Sequence, residues 1–333
     1  MSIDKNSFDG SLQTKGAFFR GARLDVVQEQ INSAAKQFLD LEKGCVLPNL
    51  TEERVCVVCG SAKRRMLFLK NLFPHVQCEE CAFVYVNPIL KEAELISYYR
   101  GVSGSWADVT EKQEYNAFQS RYYQFHLDLI AQHSRSPVKT ILDIGCNNGE
   151  FLSAAKAQGW TVTGHELNTY AGARARNKGI EVFDRPLEAA LFEGRKFGAV
   201  TLLGVLEHLP RPEHFLEVVK AVLEPGGVLA AMVPNIDSLT TRVLRDKCNT
   251  FDGIEHINFW GRSTFARFFE KCGFTVAHSE TTISELYTLN NFLHYEHPYS
   301  APVELPLLLD VLTPEYIHER GLGHHLCAYA RRS

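Results

Sequence analysis

The spacing of apolar side chains changes character along the chain. Val27, Ile31, Ala34, Phe38 and Leu41 recur at three- and four-residue steps, the period of one helical face. Gly44 and Pro48 then break the pattern. This stripe predicts a helix within residues 1–50 that packs on its own chain or on a second copy. Tyr115, Phe118, Tyr122, Phe125 and Leu129 repeat the helical period over 112–133. From residue 140 onward, apolar runs at 140–144, 161–166, 199–203 and 228–233 alternate with helical stretches at 149–158, 170–178, 211–223 and 263–272. Such alternation predicts a mainly parallel sheet covered by helices on both faces. Runs at 274–282 and 324–331 predict an antiparallel hairpin at the sheet edge. Between them, residues 283–320 read as an irregular lid whose Tyr287, Phe292, Tyr295 and Tyr299 line a pocket or pack on one another.

Composition narrows the class without naming a chemistry. With 333 residues, 45% hydrophobic and 22% charged, the chain is a folded protein of about two domains, which excludes a disordered, collagen-like or coiled-coil build. A net charge of -4 argues against a general polyanion-binding surface. No apolar run approaches the roughly 20 residues of a membrane span, and Met-Ser-Ile-Asp-Lys-Asn lacks the apolar core of a secretory signal. A cytoplasmic location is expected, with a monomer or homodimer as the assembly.

Four of the nine cysteines fall in two pairs, Cys56-Val-Val-Cys59 and Cys78-Glu-Glu-Cys81, with eighteen residues between Cys59 and Cys78. Each CxxC forms a knuckle that presents two thiolates, and two knuckles complete a tetrahedral zinc site with no open position. The short strands at 66–68 and 82–86 cannot bury a core alone, so a structural zinc ion would supply the folding energy. The reading is a zinc-ribbon-like module over 51–90, after a helical extension over 1–50. Residues 91–138 lead into a core over 139–333.

The segment most telling for chemistry is Ile141-Leu-Asp143-Ile-Gly145-Cys146-Asn147-Asn-Gly149-Glu. An apolar strand passes through a small-residue turn directly into a helix, which lets a nucleotide-like ligand approach backbone at the helix start. A dinucleotide fingerprint needs Gly at 147 and 150, where Asn and Glu stand.

These residues resemble the first motif of class I S-adenosylmethionine-dependent methyltransferases, an acidic residue followed by Gly-x-Gly-x-Gly. Asp143, Gly145 and Gly149 match, and Asn147 replaces the middle glycine, a mild change because Asn tolerates left-handed backbone. Later landmarks fall in order over 140–280. Thr161-Val-Thr-Gly-His-Glu166 is similar to the second strand, and 197–212 with its Val-Leu-Glu207-His208-Leu is similar to the fourth strand and its loop. The segments 223–227, 233–235, 254–260 and 272–274 resemble the fifth strand and the stretch after it. The cysteine module resembles the zinc-binding domain that precedes some sugar C-methyltransferases of deoxysugar pathways.

The resemblance implies a Rossmann-like, seven-stranded, mostly parallel sheet and S-adenosyl-L-methionine as cofactor. It places Asp143, Gly145, Cys146, Asn147 and Gly149 at the cofactor turn, Glu166 with Leu167 on the ribose hydroxyls, Leu187 at the adenine and Gly204 on the facing loop. Arg121 and Tyr122 either reach the cofactor carboxylate or are a solvated Arg and a core Tyr. In the zinc-containing sugar enzymes the matching Glu-His pair lies in the active site, which makes His208 the candidate base, Glu207 its orienting group and His256 a second candidate. Asn235 is expected on the same rim. Quinone-pathway O-methyltransferases carry a Glu-x-x-Glu-His metal motif, whose first position is Gly204 here, so no catalytic metal is expected. His324-His325 and Lys63-Arg64-Arg65 read as surface polar groups. The large C-terminal domain of the sugar enzymes is not expected after residue 333.

The function these residues imply is methyl transfer to a small polar metabolite, such as a nucleotide-linked sugar or a natural-product intermediate. The competing readings are an RNA methyltransferase gripping nucleic acid with the cysteine module and Lys63–Arg65, which the acidic net charge disfavours, and a non-catalytic cofactor-binding scaffold.

Overall fold

A computed structural model of the protein describes residues 33, 36–101, 113–299 and 307–333. The cysteine module is built on three antiparallel strands, β1 (Arg64–Lys70), β2 (Phe73–Cys78) and β3 (Val84–Val86). Helix α1 (Glu92–Gly101) and helix α2 (Gln113–His133) come next. Of the helical stripe expected within 1–50, Val27, Ile31 and Ala34 lie outside the described residues. Ser33 is α-helical, Lys36–Phe38 is a single 3-10 turn and Leu39–Asp40 pairs antiparallel with Cys45–Val46. Phe38 is buried but Leu41 is exposed, because the hairpin turns it to solvent.

Strand and helix then alternate: β4 (Thr140–Ile144), α3 (Glu150–Ala157), β5 (Thr161–His165), α4 (Thr169–Asn177), β6 (Glu181–Phe183), β7 (Phe197–Leu203), α5 (Pro212–Val222) and β8 (Leu223–Pro234). A two-residue strand β9 (Asn258–Phe259), α6 (Arg262–Lys271), β10 (Phe274–Thr282), α7 (Leu286–Leu293) and β11 (His325–Arg332) complete the chain. The large sheet has the order β6-β5-β4-β7-β8-β11-β10, parallel except for β11, which runs against both neighbours.

Both faces of this sheet are buried, which explains the near-continuous apolar text of its strands. Leu142, Val200, Leu202, Leu229 and Ala231 face a core closed by Leu216 and Val219 of α5 and Phe265, Phe268 and Phe269 of α6. Their neighbours Ile141, Ala199 and Ala230 face the opposite core, under Tyr122, Phe125 and Leu129 of α2 and Phe151 and Leu152 of α3. Alternate residues of one strand thus serve opposite layers.

The closing strands pair antiparallel at the sheet edge, as the sequence predicts, with β10 outermost. β11 lies inside it, between β8 and β10, pairing Pro234 with His325 on one side and Thr282 with His325 on the other. Ala328 and Ala330, flat and apolar, suit that interior position. One expectation is corrected here: the segment 283–320 is less irregular than its composition implies, since it holds α7 and a helical turn at Pro314–Glu319. Tyr287 is buried there and Tyr295 is 99% exposed, so Tyr295 lines no pocket.

The cysteine module's sheet is completed from outside it. β9, a segment beyond the fifth core strand, pairs with β3 through Asn258–Tyr85 and Phe259–Val84. Next to it, the fully buried Trp260 sits 4.8 Å from both the Phe83 ring of the module and the Phe268 ring of α6. Trp260→Ala is expected to lower stability by about 3–5 kcal/mol, read from chemical denaturation. A loss under about 1 kcal/mol would show that this joint does not carry the packing assigned to it.

Candidate active site

In an open parallel sheet ligands bind beyond the carboxyl ends of the strands, and the chain gathers its chemistry there. Asp143, second to last in β4, is buried and accepts a 2.6 Å hydrogen bond from the Thr201 hydroxyl of β7. The turn after it puts Gly145, Asn147 and Gly149 in left-handed backbone. A side chain at Gly145 would meet Val205 Cγ2 at 2.7 Å, and one at Gly149 would meet Ile180 at 2.6 Å. Asn147 holds a left-handed angle, φ 49°, as its residue type permits.

Glu166, just past β5, ties this turn to its own. Its carboxylate accepts from Asn147 N at 2.9 Å and from Asn168 N at 2.7 Å. A carboxylate has about four acceptor positions, so two bonds leave capacity for a diol. Burial raises the Glu166 carboxyl while these backbone N–H groups oppose the shift.

Other expected cofactor residues are placed less directly. Cys146 is buried with its sulfur toward Gly164, where an added side-chain carbon would lie 2.6 Å from it, so it presents only backbone to the rim. Leu187 is buried in the same core as Phe192 and Leu206, Leu167 is half-buried and Arg121 is exposed on α2. Gly204 takes φ 73° at the end of β7. Asn235 directly follows β8 and its N–H donates to the His324 carbonyl; it is buried, and its amide donates to the carbonyls of Gly321 and Gly323, clamping the approach to β11.

On the loop after β7, Glu207 and His208 meet His256 from the loop before β9. One ligating atom from each of the three lies within 4.8 Å of the others, and His208 Nε2 is 3.8 Å from Glu207 Oε1. His208 Nδ1 contacts the Glu255 carbonyl at 2.8 Å and His256 Nδ1 the Thr250 carbonyl at 2.8 Å. A carbonyl only accepts, so each ring donates from Nδ1. Burial, aided by the nearby His256, pushes the His208 imidazole down to about 3, so it is neutral at physiological pH instead of half-charged near 6.5. Burial raises the Glu207 carboxyl to about 7, and its Oε2 is buried with no hydrogen-bond partner among the described residues. That orphaned oxygen fits an acceptor site that awaits a donor.

Sequence reasoning missed His324 and His325. They are not surface groups. His324 Nδ1 lies 3.1 Å from the Glu285 carboxylate, and His325 Nδ1 lies 3.0 Å from the buried Tyr122 hydroxyl, which also meets Thr282. The missed signal was strand direction: an antiparallel strand starts at the end where its parallel neighbours finish, which puts the first residues of β11 on the ligand rim. Lys63, Arg64 and Arg65 are engaged by Glu80, Glu53 and Gln77.

The sulfur atoms of Cys56, Cys59, Cys78 and Cys81 all lie within 4.8 Å of one another, with Cys56–Cys81 and Cys59–Cys78 at 3.5 Å. Gly60 N donates to Cys56 O and Ala82 N to Cys78 O, closing the two knuckles, and Gly60 and Ala82 take the left-handed angles these require. Tetrahedral zinc–thiolate bonds of about 2.3 Å place sulfurs roughly 3.8 Å apart, so this donor set fits the ion.

Residues 115–279 match the family model described as "Methyltransferase domain". This chain carries a methyltransferase domain. Among curated relatives, the ubiquinone biosynthesis O-methyltransferase of Paraburkholderia phytofirmans is 27% identical over 141 residues, covering 36% of this chain and 61% of that one. The corresponding enzyme of Haemophilus ducreyi is 37% identical over 103 residues, covering 27% and 43%. The chain therefore spans about two fifths to three fifths of the length of these relatives. Among solved structures, magnesium protoporphyrin IX methyltransferase from Synechocystis PCC 6803 aligns at 14% identity with a TM-score of 0.48, covering 73% of this chain and 100% of that one. The methyltransferase match begins at residue 115, beyond the four cysteines.

Burial raises the Asp143 carboxyl to about 7, against the pull of Thr201. The unfolded chain ionises this group near 4, so between about pH 4 and 7 the folded state holds the extra proton. The stabilisation is complete below pH 4 and is lost as pH rises through 7. Asp143→Asn removes the dependence: relative to the parent, the variant should gain stability as pH rises from about 4.5 to 7.5, by denaturation midpoints. Parallel curves for the two proteins would refute the burial argument.

Proposed function

We propose that the protein transfers the methyl group of S-adenosyl-L-methionine to an oxygen of a small polar molecule. The observation that carries this reading is the shared rim, where the Asp143–Gly149 turn and Glu166 stand on one side and Glu207, His208 and His256 on the other. When bound, the cofactor supplies a methyl carbon activated by a sulfonium. The chain's own task is to grip it and to present the acceptor. Gly145 keeps the turn open for backbone contact, Glu166 accepts the ribose hydroxyls and the Asp143 carboxylate offers negative charge toward a cationic cofactor.

Most of the rate enhancement in an in-line displacement comes from holding the acceptor atom about 3–3.5 Å from the methyl carbon. His208 accepts the acceptor's hydroxyl proton at Nε2, the nitrogen that its Nδ1 bond leaves as an acceptor. Glu207, beside it, stabilises the imidazolium that results and orients the acceptor. The O-methyltransferase activity of the relatives supports oxygen as the atom methylated. A nucleotide-linked sugar or natural-product intermediate suits a site lined by carboxyl groups and imidazoles. The ion-paired state of Lys63 and Arg64 speaks against nucleic acid as the acceptor.

The four-thiol cluster is read as a structural zinc site in the same proposal. Purified protein should contain about one zinc per chain, and Cys78→Ser should lose the metal and the fold of the cysteine module; metal analysis finding none in protein prepared without chelator would end that part.

A second reading keeps the acceptor-side groups and changes their role. The three converging ligand atoms of Glu207, His208 and His256, each His held through Nδ1 by a carbonyl, form the kind of set that binds divalent cations. Manganese or magnesium that restores turnover after exhaustive dialysis, without displacing zinc, would favour it; turnover indifferent to added cation would remove it.

The direct test is calorimetric titration with S-adenosylmethionine, followed by methyl-tritiated cofactor against metabolite fractions. Binding and labelled product are expected. His208→Asn should leave cofactor affinity within about twofold and slow turnover by roughly 10² to 10⁴. A folded, zinc-loaded protein that does not bind the cofactor would overturn the proposal.

A further inference from the structure

The cysteine module does more than precede the methyltransferase domain, because it holds the loop on which the acceptor half of the site is built. Ile257 is the bridge. Its N–H donates to Glu207 O at 2.9 Å. On the other side its carbonyl accepts from Val86 N at 2.9 Å and from Arg54 Nη2 at 2.6 Å. Arg54, two residues before the first cysteine, also donates from Nε to Val86 O, and its backbone N–H donates to Asn87 Oδ1. The next two residues, Asn258 and Phe259, form the fourth strand of the module's sheet. The Asn258 amide then donates to Leu206 O and Leu209 O on either side of the Glu207-His208 pair.

A second connection comes from α1. The Tyr98 hydroxyl donates to Glu255 Oε1 at 2.8 Å, and the Glu255 backbone carbonyl is the group that takes the proton of His208 Nδ1. Within the loop, Asp252 Oδ1 accepts from the backbone of Ile254 and Glu255 at 2.7 Å and of His256 at 3.3 Å. Gly253 lies so close to β2 that a side-chain carbon there would meet Phe73 Cβ at 2.4 Å. The cofactor half is built differently: its bonds from Thr201 to Asp143 and from Asn147 and Asn168 to Glu166 all stay within residues 143–201.

We propose that the cysteine module, together with the helix α1 that follows it, positions the acceptor half of the active site, with Arg54 of the module and Tyr98 of α1 as positioning residues that fix the 250–258 loop and the Nδ1-protonated form of His208. The inference rests on the reading that His208 faces the acceptor. It separates the site into two mechanically distinct halves, one anchored in the parallel sheet and one anchored in the four-cysteine fold. Opening the knuckles therefore disables the second half and leaves the first.

The test uses the full chain, zinc-loaded, as the parent and as Tyr98→Phe and Arg54→Lys, both of which keep the bulk of the original side chain. Three quantities are read: amide exchange at 254–258 against 140–144, the imidazole nitrogen resonances of His208, and the affinity for S-adenosylmethionine by calorimetry. Expected are exchange at least about tenfold faster at 254–258 only, loss of the single His208 tautomer, and cofactor affinity within about twofold of the parent. Treating the parent with a thiol-reactive mercurial and a chelator should reproduce the same pattern. Parental exchange and tautomer in both variants would overturn the inference, as would equal loosening of both halves. Failure of the parent to bind S-adenosylmethionine would count against the methyltransferase reading, whereas the exchange and tautomer data decide the positioning role without it.

Discussion

The carboxylate of Glu166, held by the backbone N–H groups of Asn147 and Asn168, joins the ends of two adjacent parallel strands into one surface. Gly145 N and Cys146 N add bonds to the His165 carbonyl at 2.8 and 3.1 Å. With these ties, the turn, the strand end and the left-handed cap of α3 at Gly149 form one half-site. The large sheet supplies the rest, because parallel strands all finish at the same edge and deliver β7 and its loop to face this surface.

Electrostatics set the two halves apart. On the cofactor side, burial presses on carboxyl groups: Asp143 rises to about 7 and Glu166 is raised as well. A cation brought to them relieves that cost, which suits a positively charged ligand. On the acceptor side, buried imidazoles stay neutral because water is excluded and neighbouring rings disfavour a second charge. A neutral His208 with its Nδ1 proton committed to a carbonyl is a proton acceptor at Nε2 over the whole physiological range. The environment, and not the ordinary histidine value, decides its protonation state.

Much of this was legible in the residues. The period-switching text of 140–233 marked the strands and helices because each strand is buried on both faces and each helix on one. The Asp143–Gly149 turn was legible because left-handed backbone admits few residue types. The spacing of the four cysteines was legible because metal geometry constrains it. Less legible were groups whose role depends on a distant segment. Asn235 read as a rim residue, and nothing near it in sequence marked the amide clamp it makes on Gly321 and Gly323. His324 and His325 looked like surface polarity and instead stand at the rim, since β11 runs opposite to its neighbours and inserts between two of them.

Local patterns, then, determined the element types, the glycine turn and the thiol cluster, because each answers to a constraint carried by a few consecutive residues: burial period, allowed backbone angles, ligand spacing. Tertiary structure alone decided that Glu207 and His208 meet His256, and that residues 257–259 close the cysteine module's sheet while supporting that cluster. These contacts join positions far apart in the chain, and which pairs form is settled by sheet order and strand direction, quantities no local window contains.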